Sequence, residues 1–91
     1  MDNGPVPRIS AFYGIVIWMY YDDHNPPHFH ATYGEHEALI ELDGLHIVRG
    51  SLPARALRLV EEWAGQHVDE LRRDWDLARA AEPLAAIPPL P

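Results

Sequence analysis

Two dipeptides decide most of what this chain can become. Gly34-Glu35 and Asp43-Gly44 separate three runs: His28 to Tyr33 and His36 to Leu42, which alternate with period two, and Leu45 to Arg49. Glycine at the first central position suits a type II′ hairpin turn, and Asp-Gly suits type I′. Both turns need positive φ where few side chains tolerate it. Two-residue turns leave little freedom of register. The three runs are expected to form an antiparallel meander, with Tyr33 opposite His36 and Leu42 opposite Leu45.

The remaining pairs follow by counting from those anchors. Thr32 should face Glu37, His30 should face Leu39, and His28 should face Glu41. Across the second turn Glu41 should face His46, Ile40 should face Ile47, and Leu39 should face Val48. Paired residues share a face, and a slip of one residue would exchange every side chain between faces. One face then carries Phe29, Ala31, Tyr33, Ala38, Ile40 and Ile47, the expected core side. The other carries His28, His30, Thr32, Glu37, Glu41 and His46. It is expected to stay clear of the helices and to hold a cross-strand row, His28–Glu41–His46, with His30 beside it.

Upstream, Ile9 to Tyr21 reads as one further strand, with Gly14 marking a bulge near its start. Its Ile15-Val16-Ile17-Trp18-Met19-Tyr20-Tyr21 run is β-branched and aromatic on both sides, which suits a strand covered on both faces. Asp22 to Pro27 cannot continue it. Pro26 and Pro27 remove two backbone donors, and Asn25 before proline is pushed to extended geometry. A stiff connector is expected. Downstream, Ser51-Leu52-Pro53 resembles a helix start, with Ser51 or Leu52 near the cap and proline in the first turn. Leu57, Val60, Trp63 and Ala64 keep helical spacing, Gly65 bends or ends that helix, and Val68, Leu71, Trp75 and Ala78 form a second stripe. Asp69 and Glu70 early and Arg79 late suit the helix dipole.

The expected architecture is α+β: an antiparallel meander of about four strands with one bent or two C-terminal helices packed on one face. Residues 1–8, with Gly4, Pro5 and Pro7, read as a flexible leader, 9–82 as a single domain, and 83–91 as a proline-rich tail. A chain of 91 residues has room for one domain. No apolar run approaches the roughly 20 residues of a membrane span. The first residues show no basic stretch leading into an apolar one, so no export signal is expected. The absence of cysteine excludes disulfides and thiolate metal sites and fits a cytoplasmic protein.

The formal charge is -7, and every basic residue is an arginine. Phosphate neutralisation supplies most non-specific nucleic-acid affinity, so this charge disfavours nucleic acid as a partner. An acidic protein can instead dock on a basic protein, and self-association stays open.

The segment Asp22-Asp23-His24-Asn25-Pro26-Pro27-His28-Phe29-His30 concentrates the candidate chemistry. Alternate strand positions place His28 and His30 side by side, roughly 6–7 Å apart at Cα. Two imidazoles at that spacing can share a divalent ion, with His24, Glu41 or His46 completing the set. Imidazole and carboxylate ligands suit zinc, manganese, iron or nickel. The same residues can do acid–base work, with His28, His30 and Glu41 as the catalytic candidates. The plainer alternative is a solvated polar sheet face, where each His–Glu pair contributes only about a few tenths of a kcal/mol. Tyr13, Trp18, Tyr20, Tyr21 and Tyr33 read mainly as core packing and surface tyrosines. The helix arginines lie among acids and read as a solvated face. No phosphate-binding glycine loop or Gly-x-Ser-x-Gly elbow is present.

The stretches Ile9-Ser10-Ala11-Phe12-Tyr13-Gly14-Ile15-Val16-Ile17 and Tyr20-Tyr21-Asp22-Asp23-His24-Asn25-Pro26-Pro27-His28-Phe29-His30-Ala31, with Leu52-Pro53 and Trp63-Ala64, resemble the bacterial family called domain of unknown function 4160. That resemblance implies a partner: a second small protein (domain of unknown function 2442) encoded nearby, in an arrangement like a toxin–antitoxin pair. It brings no catalytic residues with it. Three functional expectations result. The first is an interaction protein of a two-gene module. The second is a metal- or histidine-dependent enzyme, a nuclease being one form, using His24, His28, His30 and Glu41. The third is a transcriptional regulator, which the charge disfavours.

Overall fold

The computed structural model describes residues 7–91. The part of the leader reading that covers residues 1–6 lies outside the described residues, and Arg8 already opens the first strand. The elements are β1 (Arg8–Phe12), β2 (Ile15–Trp18), β3 (His28–Tyr33), β4 (His36–Glu41), β5 (Ile47–Gly50), α1 (Ala54–Gln66) and α2 (Val68–Arg79). The strands form one antiparallel meander in the order β1-β2-β3-β4-β5. The fold is α+β, with one strand more than expected.

That extra strand comes from the segment read as a single run. Ile9 to Tyr21 is a hairpin, not one strand with a bulge. Tyr13 (φ 51°) and Gly14 (φ 81°) both adopt positive φ, the requirement of a type I′ turn. Tyrosine is a poor advertisement for that conformation, which explains why the turn does not stand out.

Between β3 and β4 the register is as counted: Tyr33 pairs with His36, Thr32 with Glu37, His30 with Leu39 and His28 with Glu41. The next connection differs. Gly44 (φ 82°) and Leu45 (φ 49°) take positive φ, and Glu41 N–H donates to the His46 carbonyl at 3.0 Å. The link is therefore the longer loop Leu42–Leu45, not the Asp43-Gly44 dipeptide. Leu42 gives the reason. Its N–H donates to the Pro27 carbonyl at 3.0 Å and it is 3% exposed, so it is held in the core and not paired with Leu45.

Ile40 pairs with Ile47 as expected, but the register then shifts: Leu39 pairs with Arg49 and Ala38 with Gly50. Val48, expected opposite Leu39, is the inserted residue of a β-bulge and is exposed. Strict alternation past Ile47 would have turned Arg49 into the core face, where an unpaired charge is costly. The bulge moves it to the opposite face. Gly50 makes the close approach possible: with φ 78°, a Cβ there would stand 2.0 Å from the Glu37 carbonyl oxygen.

The core lies between the sheet and α1. Ile9, Ile15, Ile17, Phe29, Ala31, Ala38 and Ile40 are buried on the sheet side, and Val60, Trp63 and Ala64 on the helix side. The Trp63 ring stands 5.3 Å from Phe12 and 6.0 Å from Phe29. Tyr33, expected in the core, is half-exposed at the far end of β3, where it lines an open groove with Tyr13 and Arg55. Ile47 is only half-buried. Pro53 is itself the cap of α1, and the helices separate at His67 (φ −129°, ψ 28°), not at Gly65.

α2 does not lie flat on the sheet. It crosses the end where β3 begins and β4 finishes. Arg72 reaches Asp43, Trp75 touches His28, and an Arg79 N–H donates to the Tyr21 carbonyl. The segment after α2 is packed down. Ala85 N–H donates to Asp74 Oδ1 at 2.9 Å, Ile87 N–H to the Ile9 carbonyl at 2.8 Å, and Trp63 Nε1–H to the Pro88 carbonyl at 2.8 Å. Ile87 and Leu90 are buried.

Candidate metal centre

The connector after β2 builds the site. Its two prolines lack the N–H donors that a continued ladder needs, so the connector leaves the sheet and places Asp23 over the face that carries His28 and His30. Asp23 N–H donates to the Tyr20 carbonyl at 3.4 Å, closing a turn that aims the Asp23 carboxylate at the strand. Its Oδ2 stands 3.2 Å from His28 Nε2 and 3.0 Å from His30 Nε2. The two imidazole centroids are 5.3 Å apart.

The other ring nitrogens are already engaged. His28 Nδ1 lies 2.9 Å from the Pro26 carbonyl, and His30 Nδ1 lies 3.2 Å from Glu37 Oε2. A carbonyl and a carboxylate only accept, so each Nδ1 carries the hydrogen. Each neutral ring then presents its Nε2 lone pair to the Asp23 oxygen, itself an acceptor. Three acceptors converge with no hydrogen among them. A hydrogen on one Nε2 or on the Asp23 carboxyl satisfies one of these contacts. A divalent ion at their centre satisfies all three acceptors at once.

The donor atoms fit an ion. Asp23, His28 and His30 each offer one ligand atom, and these lie within 4.8 Å of one another. Atoms each roughly 2.1 Å from an ion stand about 3.0–3.4 Å apart at octahedral or tetrahedral angles. The nitrogen-to-oxygen separations already match. The Nδ1 partners are the kind that fix ring orientation in metal-binding histidines, a backbone carbonyl and a carboxylate.

The surroundings are tight. His28 and His30 are each 8% exposed. Trp75 packs on His28 with centroids 5.3 Å apart, and Tyr20 stands edge-on to His30 at 4.6 Å. Burial, with the charges of Glu37 and Asp23 adding, holds the Tyr20 phenol above its ordinary pKa and therefore protonated.

The expected site residues divide. His28 and His30 meet. His24 is exposed and stands outside the cluster. Glu41 stands opposite His28 in the register and pairs with His46 at 3.3 Å, so the row His28–Glu41–His46 forms, but neither Glu41 nor the largely solvated His46 joins the Asp23–His28–His30 cluster. The helical layer also reaches this side through Trp75, which the counting did not foresee. Sequence reasoning missed Asp23, Glu37 as the His30 partner, and Arg49 on this face. Two signals were available: prolines that fold a connector back bring the acid before them over the next strand, and an arginine cannot occupy a core register, so a bulge had to precede it.

A groove of about 190 Å³ opens beside the cluster, lined by His30, Glu37, Leu39, Arg49 and Gly50. Two others, around Tyr13, Arg55 and Leu59, contain no histidine and a single carboxylate, Glu62, so neither offers convergent ligands.

Fold and site together define a small α+β domain with a buried His–His–carboxylate cluster on its sheet. A family model described as Domain of unknown function (DUF4160) matches residues 14–76, and the chain belongs to that family. The matched span includes Asp23, His28, His30, Glu37 and Arg49. No curated protein and no solved structure matches the chain. No helix among the described residues is long and apolar enough to cross a membrane.

Proposed function

We propose that this protein binds one divalent metal ion through Asp23 Oδ2, His28 Nε2 and His30 Nε2 and uses it for hydrolysis. The observation that carries this reading is the convergence of three acceptor atoms whose ring partners are already fixed. Two histidines and a carboxylate with positions left open form a ligand set that zinc hydrolases and ferrous oxygenases share. Asp23, His28 and His30 would hold such an ion, which would lower the pKa of a bound water toward neutrality and so provide a nucleophile for hydrolysis. Glu37 and the Pro26 carbonyl hold the rings, and Trp75 and Tyr20 exclude bulk water.

The test uses untagged protein, since a histidine tag would bind metal itself. Elemental analysis and titration of the stripped chain with Zn²⁺, Mn²⁺ and Fe²⁺ are expected to give one ion per chain. Asp23→Asn should lose more affinity than the roughly 10–100-fold that outer partners of a metal site contribute. Failure of the wild type to take up any of these ions at micromolar concentration removes the reading.

A second reading rests on a different observation. β5 pairs with β4 alone, its bulged Val48 is exposed, and its outer edge is open among the described residues. Open edges are sites for strand addition by another chain. This supports a small partner protein, of the kind the two-gene arrangement implies, docking along β5. Co-purification with the neighbouring gene product should yield a complex that Val48→Pro weakens. No complex at micromolar concentration counts against it.

A further inference from the structure

The proline-rich segment after α2 is used neither by the metal centre nor by β5. Its burial repeats every third residue: Leu84 is half-buried, Ile87 and Leu90 are buried, and the residues between them are exposed. Three residues per turn is the period of a polyproline II helix, and Pro83, Pro88, Pro89 and Pro91 bring the fixed φ that favours it. One apolar edge therefore faces the protein. Aromatic donors meet its carbonyls: Trp63 Nε1–H donates to Pro88 at 2.8 Å, and the Tyr13 hydroxyl donates to Pro91. Proline-rich ligands are recognised on aromatic-lined surfaces of this kind. The segment is also lightly tied. A polyproline II stretch has no internal hydrogen bonds. Its only backbone-to-backbone bond to the sheet among the described residues runs from Ile87 N–H to the Ile9 carbonyl. Lifting it leaves β1 paired with β2, but it takes the acceptor from the buried Trp63 N–H, which is costly unless another carbonyl replaces it.

Beside Leu90 and Pro91 the surface is not filled. A cleft of about 280 Å³ lies between them and Tyr13, Arg55 and Leu59, and it adjoins one of about 170 Å³ that reaches Tyr33. Tyr13 and Tyr33 are 58% and 37% exposed. We propose that this groove is a recognition site for a proline-rich segment of a partner protein, and that Leu84–Pro91 occupies it in cis until such a segment displaces it. The contacts that hold the docked segment need only apolar residues at every third position and carbonyls between them. Any chain of that pattern supplies both. A longer ligand also gains the second cleft, which no residue of the docked segment lines. Arg55 and Glu62 give the rim one charge of each sign, so the ligand needs no net charge. This site is independent of the metal reading. It lies at the β1 edge of the sheet, and β5 is the other edge.

The probe is a fluorescein-labelled peptide, Leu-Ala-Ala-Ile-Pro-Pro-Leu-Pro-Pro-Leu, which copies residues 84–91 and extends them toward Tyr33. Its binding to the full chain is followed by anisotropy. A site blocked by its own segment shows an affinity reduced to the fraction of time it is open. Leu90→Asp puts a charge on the apolar edge and should release the segment. That variant should bind the probe roughly ten-fold or more tightly than wild type does, with Leu90→Ala in between. Near-UV circular dichroism checks that each variant keeps its fold, and if Leu90→Asp does not, the comparison of Leu90→Ala with wild type decides. The probe without its last two residues should bind less tightly than the full one. Three results overturn the proposal: no binding to a folded variant with the segment released, equal binding by wild type and the variants, or equal binding of a probe whose apolar residues are moved out of the three-residue period. Wild-type chain that dimerises as concentration rises, and fails to do so as Leu90→Asp, gives the groove to the segment of a second copy and overturns the partner assignment.

Discussion

The two faces of β3 are equally hidden and chemically opposite. Phe29 and Ala31 are 0% exposed on one side, and His28 and His30 are 8% exposed on the other. The apolar side is covered by α1, an element with many packing atoms and no ligands. The polar side is covered by the Tyr20–Pro27 connector and the single Trp75 ring, which together supply a carboxylate, a carbonyl acceptor and two aromatic walls. Covering one face with a helix builds stability. Covering the other with a proline-bent connector builds a site, because loop backbone and short acids can be aimed at side chains where a helix face cannot. Substitutions on the two faces should therefore be separable, one set changing melting temperature and the other changing ion affinity.

The largest expected effect is on the helix-covered face. Trp63 touches both Phe12 and Phe29 and is fully buried. It also donates Nε1–H to Pro88 and so ties the C-terminal segment down. Trp63→Ala should destabilise by about 3–5 kcal/mol, measured by urea unfolding. Any protein that still folds should bind a metal ion as wild type does. A proportionate loss of ion affinity would show that the two faces are not independent.

The face partition itself was legible in the residues. Gly34-Glu35 between alternating runs fixed the β3–β4 register, and with it the co-facing of His28, His30 and Glu37. What was not legible depended on contacts that sequence spacing does not encode. The Tyr13-Gly14 turn carries an aromatic at positive φ, which propensity argues against. The Leu42–Leu45 loop exists because Leu42 is claimed by Pro27 and the core, a tertiary demand overriding a strong local turn signal. Asp23 became a candidate ligand only when the connector's path was known. The histidine pair needed pairing rules alone, whereas its third member needed the path of a loop.

The next effect is smaller and falls on the connector-covered face. Glu37 holds the His30 ring through Nδ1 and is half-exposed, so it carries little packing. Glu37→Gln keeps the shape and an acceptor but removes the carboxylate charge that faces the His30 ring. Metal affinity should fall roughly 10–100-fold, read by competition with a chromogenic chelator, with the melting temperature of the stripped protein little changed. An unchanged affinity would show that the His30–Glu37 contact is ordinary surface pairing.

Asp74 tests the comparison from the helical side, where a buried carboxylate oxygen has no partner among the described residues. It is 1% exposed; Oδ1 accepts the Ala85 N–H, and Oδ2 has no partner among the described residues. Burial raises its pKa, the Ala85 hydrogen bond works against that shift, and the Glu70 charge adds to it while Arg73 subtracts. A carboxyl whose folded-state pKa exceeds its unfolded value of about 3.9 stabilises fully only below that unfolded value. The contribution is lost as pH rises through the folded pKa. As pH rises above the unfolded value, the group therefore costs the folded state stability. Asp74→Asn retains an acceptor for Ala85 and removes the charge, so it should melt higher than wild type at pH 7, with the gap closing toward about pH 4. A gap of the opposite sign, or one constant across that range, would mean that the charge is balanced by a partner in solution.

The smallest expected effect separates nearness in sequence from nearness in space. His24 lies one residue from Asp23 and belongs to the same motif, yet it is exposed and outside the cluster. His46 sits on the same sheet face but pairs with Glu41. If the centre is the convergence of Asp23, His28 and His30, then His24→Ala and His46→Ala should leave metal affinity within about two-fold of wild type, far from the 10–100-fold range of an outer partner. The pair is informative because a motif-based account and a geometric account disagree about His24. A large loss in His24→Ala would mean that the connector rearranges around the ion to bring a third imidazole in. The carboxylate would then be the dispensable ligand, and Asp23→Asn should show the milder defect of the two.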